Sequence, residues 1–406
     1  MRRAEELLLE AVGAAIRGKQ VCWQEEIPEA DWNRLLHLAR QQHVLPLVLN
    51  SVYRCSAYQN CPVHVSGPLK QEVTRQMVGQ SLRTQDLLRL TKLAREQNLP
   101  FVVVKGYACR KLYPVPDARP SSDEDLLVPT QQFQDWVEFL LSAGYVPRKK
   151  DYDPVHDHEI GFVSNHSYLE LHRTPFDPGS GVMQACNRFF EAVCEQSAED
   201  EQGVPMMCPQ DHMLYLILHA FKHLIHSGVG LRQVCDIVLW GERYREEMNW
   251  DWLAARCEQV RCLGFAAAVF AIGQRYLGLE QIPEPLKREN VPWQELLEDL
   301  LSGGVYGGTD LGRVHSSTVT LRAVEATHEG GRPSLARTLF PAAGQMSGAY
   351  PYLKRWPALL PVAWMQRLLR YAGEVAKGRD TNNHPTESLR IGQQRKKLLQ
   401  QLEILD

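Results

Sequence analysis

The stretch that decides the fold runs from Arg119 to Val128 and reads RPSSDEDLLV. Its apolar end, preceded by proline and serine residues typical of turns, predicts a β-strand. Successive side chains of a strand alternate between two faces, so we expect Asp123 and Asp125 to point the same way, about 7 Å apart. Two carboxylates at that spacing repel each other unless a cation neutralises them, and Mg2+ prefers oxygen ligands. The motif therefore predicts a metal site.

The segments on either side of this motif predict a small α/β unit that begins near residue 98. Upstream, residues 101–104 read FVVV, an apolar and mostly β-branched run that favours a strand covered on both faces. Downstream, residues 159–163 and 168–172 have strand-like composition and predict an antiparallel pair joined by a short turn.

The sequence pattern in the rest of the chain predicts helices. Apolar residues with helical spacing indicate long helices over residues 31–39, 74–97, 211–226, 231–245 and 251–277. The predicted fold class is therefore α+β, with a small mixed-sheet domain embedded between helical regions. The predicted division is an N-terminal helical region at 1–97, an α/β core at 98–205 and a C-terminal helical domain at 206–406.

Composition narrows the class of protein. The chain of 406 residues is 44% hydrophobic and 23% charged, which is ordinary for a soluble globular protein. Its net charge of -3 gives no basic footprint for nonspecific nucleic-acid binding. The sequence has no signal-peptide pattern and no run of about 18 apolar residues, and its ten cysteines are scattered. We expect a cytoplasmic protein with reduced thiols.

Further residues around the aspartates fit the needs of nucleotidyl transfer. Glu170 is the expected third carboxylate, because the leucines on either side of it would take the buried face of their strand. Gly106 lies between a buried strand and a helix start, where backbone N–H groups can approach a phosphate, with Lys105 and Arg119 as charge partners. Each residue also has an ordinary interpretation. Glu170 could be a solvated residue of the sheet, Gly106 a turn glycine, and Lys105 and Arg119 surface charges.

Several motifs together resemble the uncharacterised nucleotidyltransferase family of the DNA polymerase β-like superfamily. They are Val104-Lys105-Gly106, Leu112-Tyr113-Pro114, residues 119–128 and Leu169-Glu170-Leu171-His172. The resemblance extends to residues 216–236, 339–341 and 360–364, so it covers most of the chain. One position departs from the pattern: the superfamily usually has serine after its turn glycine, and this chain has Tyr107.

The resemblance implies a nucleotidyltransferase fold that uses Mg2+, with Mn2+ as the alternative ion. It implies a nucleoside triphosphate substrate, with ATP expected. By position, it makes Asp123, Asp125 and Glu170 both the metal ligands and the catalytic residues. The acceptor stays open between a small molecule, a sugar, a protein hydroxyl and an RNA end.

A row of imidazoles marks the predicted helix that starts near Pro209. At 100° per residue the row lies within about 60°, and its members are His212, His219, His223 and His226, joined by Tyr215 and Lys222. The row could line the cleft opposite the carboxylates, bind a separate metal through His219 and His223, or be structural. The helix lacks the glutamate of a His-Glu-x-x-His protease.

The predicted function is Mg2+-dependent transfer of a nucleoside monophosphate to a hydroxyl acceptor, with release of pyrophosphate. The alternatives are a noncatalytic nucleotide- or protein-binding module on the same fold, and a metal-dependent phosphohydrolase that uses the histidine row. The candidate nucleotide-binding residues are Lys105, Gly106, Arg119, Ser122, His219, Lys222 and His223.

Overall fold

The computed structural model describes residues 2–226, 228–304, 350, 352–366 and 385–405. The motif at residues 339–341 lies outside the described residues. The chain divides into two compact units, which are Met1–Leu224 with Gly228–Gly308, and Ile225–Ser227 with Thr309–Asp406. The predicted three-part division stays a prediction.

Helices precede the sheet and follow it. Those before it are α1 (Arg3–Ala15), α2 (Glu29–Gln41), α3 (Leu45–Val52), α4 (Ser56–Gln59) and α5 (Val63–Glu96). Those within and after it are α6 (Gly106–Arg110), α7 (Phe133–Ser142), α8 (Pro209–His226), α9 (Leu231–Arg243), α10 (Trp250–Gln259), α11 (Leu263–Ile272) and α12 (Trp293–Gly303). Helix α5 continues through Pro68, so the predicted start at residue 74 is too late.

The prediction of one helix over residues 251–277 is wrong. The chain leaves helical geometry between α10 and α11, where Arg261 adopts a positive φ of 54°. The backbone N–H of Cys262 donates to the carbonyl of Cys257 at 2.8 Å, which closes the end of α10. After α11, a π-helical turn covers Gly273–Leu277. Apolar spacing alone does not reveal this break, because both helices keep their apolar residues.

The sheet is mixed, which confirms the predicted α+β fold class. Its strands are β1 (Val102–Val104), β2 (Glu124–Leu127), β3 (Val146–Pro147), β4 (Glu159–Val163), β5 (Tyr168–His172), β6 (Ala198–Glu199) and β7 (Pro205–Met206). Their order is β3-β4-β5-β2-β1-β7-β6. Strand β2 pairs in parallel with β5 and β1 in parallel with β7, while the other neighbours are antiparallel. The predicted β4–β5 pair is present, whereas β6 and β7 are too short to be predicted.

One face of the sheet packs into the main core with α5 and α7. The buried residues on that face include Val103, Leu126, Ile160, Phe162, Leu169 and Leu171. Because strand residues alternate, the opposite face carries the residues between them. Asp125 and Glu170 lie on that opposite face.

The second unit has its own small apolar cluster. The described helices of this unit are α13 (Tyr352–Arg355), a helical segment at residues 360–366 and α14 (Pro385–Gln401). Leu353 and Ala363 are buried in this cluster. Within the described part of the chain, no helix combines the length and hydropathy that crossing a bilayer requires.

We predict that Gly106→Ala destabilises the protein by about 1–3 kcal/mol, as overpacking usually does. A Cβ at this position would lie 2.2 Å from Glu124 Oε2. That carboxylate is buried and bonded to Arg110 and to the Tyr107 N–H, so it cannot easily move. Denaturant unfolding measures the change.

The matched control is Gly79→Ala in α5, where a Cβ would have no neighbouring atom within 4 Å. This change should raise the unfolding free energy by up to about 1 kcal/mol, because alanine favours a helix over glycine. Equal effects of the two substitutions would contradict the steric account of Gly106.

Candidate active site

The two carboxylates at the centre of the site lie on neighbouring parallel strands. Asp125 on β2 and Glu170 on β5 are direct register partners. Both therefore point to the same face of the sheet. The side chain of Asp125 is 1% exposed and that of Glu170 is 23% exposed. Solvent reaches the pair from the Glu170 side.

Asp123 comes just before β2 and is half-buried. Its Oδ1 accepts a hydrogen bond from Ser122 Oγ at 2.8 Å. Asp123 and Asp125 line one narrow cavity together with Lys105 and Gly106. Among the predicted site residues, Ser122 is exposed and contacts the site only through Asp123 in the bonds described.

His172 joins the carboxylates, although it was not predicted as a site residue. It follows Glu170 by two positions on β5 and so shares its face. Ligand atoms of Asp125, Glu170 and His172 lie within 4.8 Å of one another, the one group of three such atoms found among the described residues. His172 Nε2 lies 3.1 Å from Asp125 Oδ1 and 3.6 Å from Glu170 Oε2.

Burial and the contacts within this cluster act in opposite directions on the pKa values of His172 and Glu170. Burial alone would lower the pKa of His172, but its hydrogen bond to Asp125 and the charges of the nearby carboxylates raise it to about 9. Burial alone would raise the pKa of Glu170, but its interaction with His172 and the Lys105 charge lower it to about 2. An imidazolium and an ionised glutamate therefore face each other at neutral pH.

Lys105 lies against Asp125 on its other side. Its Nζ is 2.9 Å from Asp125 Oδ1 and 3.1 Å from His219 Nε2. Burial opposes the charge of Lys105, yet the nearby carboxylates, Asp125 first, raise its pKa well above the usual value. Lys105 therefore stays protonated and donates to both neighbours, so the neutral imidazole of His219 accepts through Nε2.

Two members of the histidine row on α8, His212 and His219, contact Lys105 beside this face of the sheet. His212 is fully buried, packs on Trp240 with ring centroids 4.1 Å apart and accepts a hydrogen bond from the Lys105 backbone N–H at 3.2 Å. His219 lines the cavity, and its Nε2 lies 3.3 Å from His223 Nε2. Lys222 is half-buried and is not among the described residues lining this cavity.

Arg119 makes a buried ion pair with a helix far along the chain. Its guanidinium donates to both oxygens of Asp236 on α9, at 3.0 Å from Nε and 2.6 Å from Nη2. Tyr113 Oη donates to the same carboxylate at 2.8 Å. Arg119 and Asp236 also line the cavity, so this pair forms part of its wall.

Arg232 on α9 is a further cavity residue that the sequence did not single out. One of its terminal nitrogens donates to the Pro120 carbonyl at 2.6 Å. From α5, Arg83 donates to the Ser121 carbonyl at 2.6 Å, and Gln80 accepts from the Ser121 N–H at 2.7 Å. These bonds hold the segment before Asp123 from two sides. No local motif marks them, because the partners are far apart in sequence.

The donor set fits a hard divalent cation. Asp125 Oδ2 is buried and has no hydrogen-bond partner among the described residues. An ionised oxygen without a partner is costly to bury. Carboxylate oxygens such as those of Asp125 and Glu170 are ligands that divalent cations accept, whereas Asp123 is not part of the group of ligand atoms within 4.8 Å. The site can therefore take a cation without any change of ligand type.

Comparison with known protein families identifies a match. The family described as "Uncharacterised nucleotidyltransferase" matches residues 28–278, which is more than half of the chain and includes the whole site. No curated protein matches the chain.

We predict that His212 makes the protein less stable as the pH falls below about 6.5, the ordinary histidine pKa. Burial lowers the pKa of His212 to about 3 in the folded state. The unfolded chain therefore binds a proton that the folded chain does not, and stability falls by about 1.4 kcal/mol per pH unit in that window. Denaturant unfolding at pH 7 and pH 5 measures the loss. His212→Gln should lose about 2 kcal/mol less, and an equal loss would contradict the assignment.

We predict that Asp236→Leu destabilises the protein by about 3–5 kcal/mol, because it leaves Arg119 buried without its partner. The double variant Arg119→Met with Asp236→Leu should recover much of that loss, since it removes both charges. Unfolding free energies of the wild type, both single variants and the double variant form the cycle. Additive losses would show that the pair does not act as a unit.

Proposed function

The chain belongs to the uncharacterised nucleotidyltransferase family, and we propose that it transfers a nucleoside monophosphate from a nucleoside triphosphate to a hydroxyl acceptor. The family supports nucleotidyl transfer as the general reaction. The register pairing of Asp125 with Glu170 is the main structural support for this proposal. This pairing gathers carboxylate oxygens on a face of the sheet that also carries cationic groups.

We propose that Asp123, Asp125 and Glu170 hold divalent metal, Mg2+ or Mn2+. The low pKa of Glu170 keeps its carboxylate ionised at neutral pH, as a ligand must be. When bound, such ions stabilise the negative charge on the attacking and departing oxygens of an in-line displacement. His172 keeps the carboxylates in place through its contacts with Asp125 and Glu170.

We propose that the triphosphate, with ATP as the expected substrate, lies on the Lys105 side of the carboxylates. Lys105, Arg232 and His219 line the cavity there, together with Gly106. Lys105 and Arg232 supply positive charge for phosphate oxygens, and Arg232 presents a planar set of donors. Arg119 acts from the cavity wall. Lys222, His223 and Ser122 are not among the lining residues of this cavity and remain candidates from the sequence.

The proposed reaction is a displacement at the α-phosphorus of the triphosphate. The acceptor oxygen forms a bond to the α-phosphorus, and the bond from that phosphorus to the oxygen bridging to the β-phosphate breaks. Pyrophosphate leaves with the bridging oxygen and the electron pair. The acceptor proton passes to solvent, because Glu170, with a pKa of about 2, is a weak base. The residues contribute mainly charge and positioning.

The partial exposure of Glu170 favours an acceptor that approaches from its side. This leaves the acceptor class open between a small molecule, a sugar, a protein hydroxyl and an RNA end. The rival readings are a noncatalytic binding module and a phosphohydrolase built on the histidine row. His212 fits the phosphohydrolase poorly, because it is buried against Trp240 and bonded to backbone.

We predict Mg2+- or Mn2+-dependent release of pyrophosphate from at least one of the four nucleoside triphosphates, with water or an added hydroxyl compound as acceptor. Asp125→Asn and Glu170→Gln should each lower the rate by about 100-fold or more, since they remove charge that stabilises the transition state. Glu138→Gln on the exposed side of α7 is the matched control and should leave the rate unchanged.

Two results would contradict the proposal. Absence of pyrophosphate release with every triphosphate and both metals would favour the noncatalytic binding module. Activity that survives Asp125→Asn and Glu170→Gln but is lost on replacing His219 and His223 would favour the phosphohydrolase.

A further inference from the structure

The two oxygens of the Glu170 carboxylate have different surroundings. Oε1 accepts a hydrogen bond from Tyr168 Oη at 2.9 Å. Oε2 lies 3.6 Å from His172 Nε2, on the side of the three-residue cluster. The last torsion of a glutamate side chain is broad, so an unrestrained carboxylate rotates freely. The Tyr168 bond therefore selects which oxygen faces the cluster.

A glycine in the middle of β4 makes room for Tyr168. Gly161 is the register partner of Glu170 on the strand next to it. A Cβ at Gly161 would lie 2.6 Å from Tyr168 Oη and 3.0 Å from a ring carbon. Glycine within a strand costs about 0.5–1 kcal/mol relative to alanine and often marks a close approach. The strand thus lacks a side chain at the one place where the tyrosine ring crosses it.

Arg148 holds the tyrosine from the far side. Its guanidinium carbon lies 5.3 Å from the centre of the Tyr168 ring, and Nη1 lies 3.3 Å from Tyr168 Oη. Its backbone N–H donates to the Gly161 carbonyl at 2.8 Å, which anchors Arg148 opposite the glycine. Gly161 and Glu170 therefore lie side by side on β4 and β5, and Arg148 bonds to Gly161 from the residue just after β3.

We propose that Tyr168 is a positioning residue for the Glu170 carboxylate, seated by Gly161 and Arg148, and that it turns Oε2 toward the three-residue cluster as a metal ligand. The inference rests on the proposed function, because it assumes that Glu170 binds the metal. It adds three residues that none of the sequence motifs includes. Hydrogen-bond partners of metal ligands typically change metal affinity by about 10–100-fold.

The test is the affinity of the full chain for Mn2+ alone, measured by titration with electron paramagnetic resonance. Tyr168→Phe removes only the hydroxyl and should weaken binding by about 10-fold. Gly161→Ala keeps the hydroxyl but displaces the ring, so it should weaken binding similarly. Arg148→Met, at an exposed position, should give a smaller loss. Thermal unfolding of each variant reports whether the fold is intact.

Two reference variants separate the inference from the proposed function. Asp125→Asn and Glu170→Gln should abolish the tight Mn2+ site. If they do and folded Tyr168→Phe binds Mn2+ as tightly as the wild type, the positioning role is overturned. If Tyr168→Phe does not fold, the affinity of Gly161→Ala decides in the same way. If both reference variants bind Mn2+ like the wild type, the proposed metal site itself fails.

Discussion

The site depends above all on the parallel pairing of β2 with β5. In this register Asp125 lies opposite Glu170, while Leu126 lies opposite Leu171 and turns into the main core. A slip of one residue would move the leucines to the polar face and the carboxylates into the apolar core. Burial of the apolar face against α5 and α7 therefore also fixes where the acids stand. The same strand register therefore determines both the apolar core and the position of the acidic residues.

The second constraint is charge. Asp125 is almost fully buried, and a buried charge is costly unless it is paired and hydrogen-bonded. Lys105 and His172 each approach its Oδ1, one from the β1 side and one from β5. Helix α8 completes the arrangement, because His219 accepts from Lys105 and His212 accepts from the Lys105 backbone. We infer that the positive charges of Lys105 and His172 neutralise the carboxylate of Asp125 until a metal ion and a substrate bind.

Local periodicity in the sequence predicts part of this site. The β4–β5 pair, the place of Asp125 on β2 and the alternation around Glu170 follow from a period of two, whereas Asp123 was expected on the same strand and comes before it. Local periodicity does not predict contacts between segments that are far apart in the sequence. Arg119 and Asp236 are 117 positions apart, so nothing near Arg119 predicts that its guanidinium is paired. The roles of the individual residues stay predictions, including the choice among the cations of α8 and α9.

The proposed metal site lies between the acids of β2 and β5, and anomalous diffraction at the manganese edge would locate the ion. The crystals would contain the full chain with Mn2+ and a nonhydrolysable nucleoside triphosphate analogue. We expect an anomalous peak bounded by Asp123, Asp125 and Glu170, with the phosphates on the Lys105 side. A peak at His219 and His223 instead, or none near the carboxylates with the analogue bound, would contradict the proposed site.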